Sequence, residues 1–279
     1  MGINRAVLKI FDILYKKKFF EKINSVMELG SQVVYAEYDN ILLFLKSIGR
    51  KNPKSDLKKA YQKMNIKTLR KKLFPKSYLL NAKHIYNFLG IKDYECIDSD
   101  GHFGAHIFNL NKDINKEYKY KKKFDLVTNN GTTEHVFNQY ICFKNIHDLT
   151  KVGGYMFHAV PFIGYLEHGF YLYSASFFLD LAFMNNYEIK AMWICIDDDI
   201  LKPYSKKTAE TYLKKQENVD IMCLFKKVLN QNFKIPFQGK YIETTKIKYM
   251  GEKSNIKFLK SKTPWFVIIK KILNLKILK

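Results

Sequence analysis

The chain has 279 residues, 47% of them hydrophobic, and a formal net charge of +22 at pH 7. That apolar content excludes a wholly disordered chain and suffices for one large α/β domain with extensions, or for two small domains. No apolar run reaches the length of an uncharged membrane span, so no transmembrane helix is predicted. The positive excess has two readings of equal weight: an anionic partner, or the lysine-rich drift of an AT-rich coding sequence.

Residues 1–22 predict a basic amphipathic helix; Lys9 and Asp12 interrupt its apolar stretch, which argues against a signal peptide. Val26–Leu29 is an apolar stretch ending at Gly30, the pattern of a buried parallel strand entering a turn. Residues 33–49 predict a helix, residues 50–76 a Lys/Arg-rich helical segment, and residues 77–90 a further helix closed by Gly90. Tyr94–Asp98 predicts a second strand, His106–Phe108 a weaker third, and Phe124–Asn129 a fourth that enters a polar turn. Residues 134–150 have the apolar spacing of a helix, Lys151–Gly154 is a stop, and Tyr155–Val160 is a strand. A helix over 174–186 and closing strands over Ile189–Ile196 and Ile221–Lys226 complete the pattern. Strands alternating with helices predict a doubly wound α/β sheet, whose ligand site lies beyond the carboxyl ends of the strands. Residues 227–279 form a basic C-terminal extension that holds about half of the charge excess. Cys96, Cys142, Cys195 and Cys223 lie in apolar runs with no C-x-x-C pair, which predicts buried free thiols in a reducing, cytoplasmic setting and no metal centre.

Four polar segments follow predicted strands. In Glu28-Leu29-Gly30-Ser31-Gln32, glycine lets backbone approach a ligand closely, and the next helix can aim amides at an anion. In Asp98-Ser99-Asp100-Gly101, a carboxylate at a strand end can accept both hydroxyls of a ribose. Asn129-Asn130-Gly131-Thr132-Thr133-Glu134-His135 puts Glu134 and His135 at the mouth of the cleft, where Glu134 also suits a first helical turn. The fourth segment places His158 on a strand and His168 in the following loop; imidazole titrates near neutrality, so each is a candidate base, with His158 more simply read as structural.

In this order the segments Met27–Gln32, Ile97–Gly101, Phe124–Val136, Lys151–Gly154 and His168–Tyr171 resemble the class I S-adenosylmethionine (SAM)-dependent methyltransferases. The nearest likeness is to a subgroup associated with bacterial surface-glycan or secondary-metabolite genes. The resemblance spans roughly residues 20–195 and implies a Rossmann-like methyltransferase sheet within a domain of residues 1–226. It also implies SAM as cofactor, with Glu28, Gly30 and Ser31 by its methionine part, Asp98 on the ribose, and Asn129, Gly131 and Thr132 lining the cleft. Glu134, His135 and His168 are the implied catalytic candidates for methyl transfer, preferably to oxygen, on a small-molecule or glycan acceptor. Three departures from the pattern stand out. A single glycine, Gly30, replaces the usual two or three. Asn109 stands where relatives carry an acid. Gly30 and Asp98 are 68 residues apart, where about 20 is usual, which predicts a helical insertion at about 38–88 between the first two strands.

Two other classes fit the same residues. A non-catalytic binding module would explain the reduced glycine loop, and a nucleic-acid methyltransferase would use the positive charge, although its basic segments are not interleaved with stacking aromatics in a recognisable module. A nicotinamide enzyme is disfavoured because no G-x-G-x-x-G occurs. The apolar, basic end at residues 264–279 suggests an interfacial helix on an anionic inner-membrane surface, with equal weight on a helix docked to the domain.

Overall fold

A computed structural model describes residues 2–62, 80–213 and 217–238. Helix α1 (Arg5–Lys16) begins at Asn4, whose side chain accepts a hydrogen bond from the Val7 amide at 2.9 Å. Its Val7, Ile10, Phe11 and Leu14 are buried, as the apolar spacing predicts. A short parallel pair, β1 (Ile3–Asn4) and β3 (Val34–Tyr35), clasps the chain start to the segment after the first core strand.

The core strands are β2 (Ser25–Leu29), β4 (Asp93–Ile97), β5 (Phe124–Asn130), β6 (Thr150–Ile163), β7 (Tyr187–Ile196), β8 (Ile200–Pro203) and β9 (Val219–Lys227). They form a seven-stranded sheet in the order β4-β2-β5-β6-β9-β7-β8. β4, β2, β5 and β6 pair in parallel, while β9 runs antiparallel to β6 and β7, and β8 closes a hairpin with β7. Between β2 and β4 lie α2 (Tyr38–Ser47), α3 (Pro53–Gln62) and α4 (Ala82–Phe88), all within the predicted insertion. The remaining helices are α5 (Ile114–Tyr118), α6 (Gln139–Leu149), α7 (Ala175–Met184) and α8 (Lys206–Leu213).

Strand alternation sorts side chains onto two faces. Val26, Leu126, Phe157, Trp193 and Leu224 pack with α1 to α4 on one face; Met27, Val127, Met156, Met192 and Phe225 pack with α5 to α7 on the other. Both faces are covered, as a doubly wound α/β sheet requires. The chain passes from β2 outward to β4 and then returns to β5 on the opposite side of β2. The crevice beyond Leu29 and Asn130 is therefore the topological switch point.

Several boundaries differ from the sequence expectations. The helix expected over 33–49 starts only at Tyr38, because Val34 and Tyr35 pair with β1. The expected third strand shrinks to one parallel bridge, Ile97 to His106, since Gly101, Phe103 and Gly104 all adopt positive φ and keep that segment from extending. The helix expected over 134–150 is split into a 3-10 turn at Thr133–His135 and α6, which starts after Asn138 accepts from the Ile141 amide. Lys151–Gly154 is not a stop between elements. β6 already begins at Thr150, and the two glycines lie at a register shift against β5, where Gly153 has φ +82°. All four cysteines are buried and free. Among the described residues no helix is long and apolar enough to cross a membrane. The tail at 264–279 and residues 63–76 of the basic segment lie outside the described residues.

Candidate functional site

The crevice is built by the turns that end β2, β4 and β5. Gly30 has φ +81°, and a side chain there would collide with Gln32 Nε2 and Thr132 Oγ1. Its amide donates to the Ile97 carbonyl at 2.7 Å, tying the first turn to the second strand end. Asp98 Oδ2 accepts from the Ser31 amide at 2.8 Å and the Ser31 hydroxyl at 2.9 Å. Both bonds fall on one oxygen, and Asp98 is only half-buried, with no protein donor on Oδ1.

Gln32 closes the gap between the first and third turns. Its Nε2 donates to Thr132 Oγ1 at 2.9 Å, and Thr132 Oγ1 donates to the Leu29 carbonyl at 2.7 Å. Asn129 builds the third turn: its Oδ1 accepts from the amides of Thr132 and Thr133, and its Nδ2 donates to Thr133 Oγ1 at 2.9 Å. Gly131, with φ +78°, reverses the chain there. Gly30, Ser31, Asp98, Asn129, Gly131 and Thr132 are thus brought to one crevice.

Glu28 is placed differently. Its side chain is fully buried beneath the crevice, on the face covered by α4, and accepts from Tyr94 at 2.5 Å, Tyr86 at 3.3 Å and Asn130 Nδ2 at 3.4 Å. Burial pushes its carboxyl up to about 7, against the pull of those three donors. Glu28 therefore acts under the crevice floor and does not line it. His158 is buried on β6 behind Asn129, and burial holds its imidazole down to about 3. It is a neutral core histidine, as its strand position suggested.

Glu134, His135 and His168 come together at the edge of the crevice. Glu134 and His135 sit on the 3-10 turn that follows β5. The loop after β6 is folded back onto that turn. The Phe170 amide donates to the Glu134 carbonyl at 2.8 Å, and Gly169 lies so close that an added Cβ would stand 3.0 Å from that carbonyl and 3.2 Å from His135 Nδ1. Gly164, Tyr165 and Glu167 all take positive φ to reach this path. As a result Glu134 Oε1 lies 3.6 Å from His168 Nε2 and 3.8 Å from His135 Nε2, with the two rings 5.1 Å apart. The Glu134 side chain is wholly buried, and neither of its oxygens has a hydrogen-bond partner. His135 is half-exposed; burial holds its imidazole below the ordinary value, with the Glu134 charge opposing that shift. Around the cluster Phe137, Leu166 and Phe170 expose their side chains, an apolar rim on an otherwise polar edge.

Sequence reasoning missed Gln32, Tyr86, Tyr94 and Gly169. A glutamine two residues after Gly30 was a visible signal of a side chain near the turn. The tyrosines carried none, because only the fold brings α4 and β4 over Glu28. A hollow of about 500 Å³ also opens at the opposite edge of the sheet, near Tyr120, Lys122 and Lys144. Each of those lysines is already held by two carboxylates, Asp93 and Glu95 or Asp113 and Asp148.

A scan against known protein families finds no match, and no curated protein matches the chain. Among solved structures, the chain is similar to coclaurine N-methyltransferase bound to N-methylheliamine and SAH, with 12% identity, 79% of this chain and 73% of that chain covered, and a TM-score of 0.38. It is also similar to the O-methyltransferase of a trans-AT PKS multienzyme from Brevibacillus brevis in complex with S-adenosyl-L-homocysteine, at 10% identity, 81% and 73% coverage and a TM-score of 0.38. A SAM-dependent methyltransferase from Archaeoglobus fulgidus matches at 11% identity, 79% and 94% coverage and a TM-score of 0.37. These scores are low, and the fold described above rests on this chain's own strand order and registers.

Proposed function

We propose that the chain is a SAM-dependent methyltransferase acting on a small-molecule or glycan acceptor, by transfer to oxygen. The observation that carries this reading is the convergence, at the switch point of a doubly wound sheet, of an Asp98 Oδ1 with no protein donor, the Gly30 turn and the Glu134–His135–His168 cluster. The residues fit an adenosyl cofactor. Asp98 keeps one oxygen for a ribose, the exposed Ile107 beside Gly101 offers an apolar face for a base, and Gln32 Nε2 supplies a donor for a carboxylate once it leaves Thr132. Glu28 contributes as a positioning residue through Tyr94 and Asn130.

The cofactor, when bound, supplies an already activated methyl group, so the protein's task is alignment and removal of the acceptor's proton. The apolar rim of Phe137, Leu166 and Phe170 would hold the acceptor against the cluster. There Glu134, His135 and His168 would take up or compensate the charge that its hydroxyl releases. The cofactor would depart as a neutral thioether, so the charge left for these residues to handle would be the acceptor's proton alone.

Gln32 favours a second reading: because it bridges the first and third turns, the crevice could serve a non-catalytic module. Calorimetric titration with SAM and with S-adenosylhomocysteine (SAH), using Asp98→Ala as control, separates the two. Micromolar binding that is lost in the variant supports methyl transfer. Absence of binding to the wild type overturns it in favour of the module.

A further inference from the structure

We propose that Glu134, His135 and His168 form a divalent transition-metal site open to the acceptor side of the crevice. The first argument is the state of Glu134. Its side chain is wholly buried, yet neither oxygen accepts a hydrogen bond, and His168 Nε2 also lacks a partner. A buried carboxylate left in that state is costly unless something positive meets it. No lysine or arginine forms an ion pair with Glu134 among the described residues; the groups that face it are His135 and His168.

The second argument is spacing. Oε1 to Nε2 distances of 3.6 and 3.8 Å are too long for hydrogen bonds. Zinc bonds to imidazole nitrogen and carboxylate oxygen are about 2.0–2.2 Å, so two ligands on a tetrahedral ion stand roughly 3.4 Å apart. One ligand atom from each of the three residues lies within 4.8 Å of the others, so the two imidazoles would move toward the ion to reach that edge length.

The donor set is the third argument. Two imidazoles and one carboxylate suit zinc, iron(II), cobalt(II) or manganese(II), and poorly suit calcium or magnesium. Three protein ligands leave at least one position for an outside oxygen, the arrangement of catalytic rather than structural sites. That position is on the solvent side, since His135 is 47% and His168 29% exposed whereas Glu134 is buried. No such spacing is visible along the chain: Glu134 and His135 are adjacent, and His168 arrives only because Gly169 lets its loop pack on their turn.

On the methyl-transfer reading, which this extension rests on, the site selects acceptors with an ionisable hydroxyl. The ion would lower the hydroxyl's proton affinity, the proton would leave to solvent, and the imidazoles would serve as ligands, not as bases.

The test uses the full chain, stripped with a chelator and titrated with cobalt(II) alone. The expected result is one equivalent bound, with the visible absorption of a low-coordinate ion, displaced by zinc. Glu134→Gln, which removes a buried charge without changing shape, should weaken cobalt binding by about 100-fold or more, beyond the effect of losing an outer-shell partner. His135→Ala should do the same from an exposed position. His106→Gln, far along the chain and paired with Glu95, should bind as the wild type does. Unchanged cobalt binding in folded Glu134→Gln, or no stoichiometric binding in the wild type, overturns the site. SAH calorimetry on the same samples keeps the two conclusions apart. Cobalt binding without SAH binding retains the site and discards methyl transfer; SAH binding without cobalt binding does the reverse.

Discussion

Replacing Glu28 by glutamine probes a carboxyl group that is wholly buried beneath the crevice. The Glu28 side chain is fully buried, and its carboxyl is raised from 4.5 to about 7. The folded state therefore holds a proton on Glu28 over a range where the unfolded chain has lost it. In that window the unfolded state binds fewer protons, so stability falls as pH rises. The contribution is whole below about pH 4.5 and is lost by the time pH passes about 7. At 1.36 kcal/mol per pH unit, a difference of about 2.5 units amounts to roughly 3 kcal/mol. Glutamine has no charge to desolvate and can still accept from Tyr94 or Tyr86. Its amide nitrogen, however, mismatches one donor, at a cost of about 1 kcal/mol. Urea unfolding at pH 5, 6, 7 and 8 should show wild-type stability declining by up to that 3 kcal/mol. Glu28→Gln should give a flatter profile and be the more stable protein at pH 8 by about 1–2 kcal/mol. Parallel profiles for the two proteins would refute the reasoning, because the slope would then arise from other groups.

Three further substitutions probe other parts of the structure. Trp193→Ala removes the largest fully buried side chain, on the face covered by α1 to α4, and should cost about 3–5 kcal/mol in denaturant unfolding. Gly30→Ala puts a Cβ at φ +81° against Gln32 and Thr132; it should lower stability by about 1–3 kcal/mol and abolish SAH binding in calorimetry. Gly169→Ala brings a Cβ to 3.0 Å from the Glu134 carbonyl, so it should weaken cobalt binding while changing stability by about 1–3 kcal/mol or less.

What the sequence made legible follows from which interactions are local. Val26–Leu29 and Phe124–Asn129 were readable as buried parallel strands because their apolar runs end at turn residues, and both are interior strands of the sheet. The unusual gap between Gly30 and Asp98 was readable as an insertion, and α2, α3 and α4 fill it. Asp98 and Gly30 could be assigned to one crevice because a parallel sheet must bring consecutive strand ends together. The hairpin strand β8 and helix α8 were not foreseen, since Ile200–Pro203 is half polar and Lys206–Leu213 has a weak apolar face. Glu28 was misplaced into the cleft for a different reason. Strand parity puts it on the same face as Val26, but only the docking of Tyr86 and Tyr94 determines what that face meets. The choice among Glu134, His135 and His168 could not be made from sequence. In the structure Glu134 Oε1 stands 3.6 Å from His168 Nε2 and 3.8 Å from His135 Nε2.

The two edges of the sheet hold their buried polar groups differently. At the amino edge Asp125 accepts from the amides of Asn24 and Ser25 and from Lys151, and these bonds hold its carboxyl below the ordinary range despite burial. His147 there is bonded through both nitrogens, to Tyr187 at 2.6 Å and the Gln231 carbonyl at 2.8 Å. Such groups fix strand ends and are complete within the chain. At the carboxyl edge Glu134, His158 Nε2 and His168 Nε2 are buried without partners, and Glu28 is held near neutrality beneath them. Native proteins satisfy nearly all buried polar atoms, so a cluster of exceptions marks a place where stability is given up for a ligand. Glu134 and His168 stand beside the turn that ends β5 at the switch point, whereas other buried polar atoms without a partner, such as Asp12 Oδ1 and Gln231 Nε2, lie elsewhere. A ligand that meets Asp98 Oδ1 at one end and Glu134 at the other would complete the hydrogen bonding of this edge as Lys151, Tyr187 and Gln231 complete that of the other.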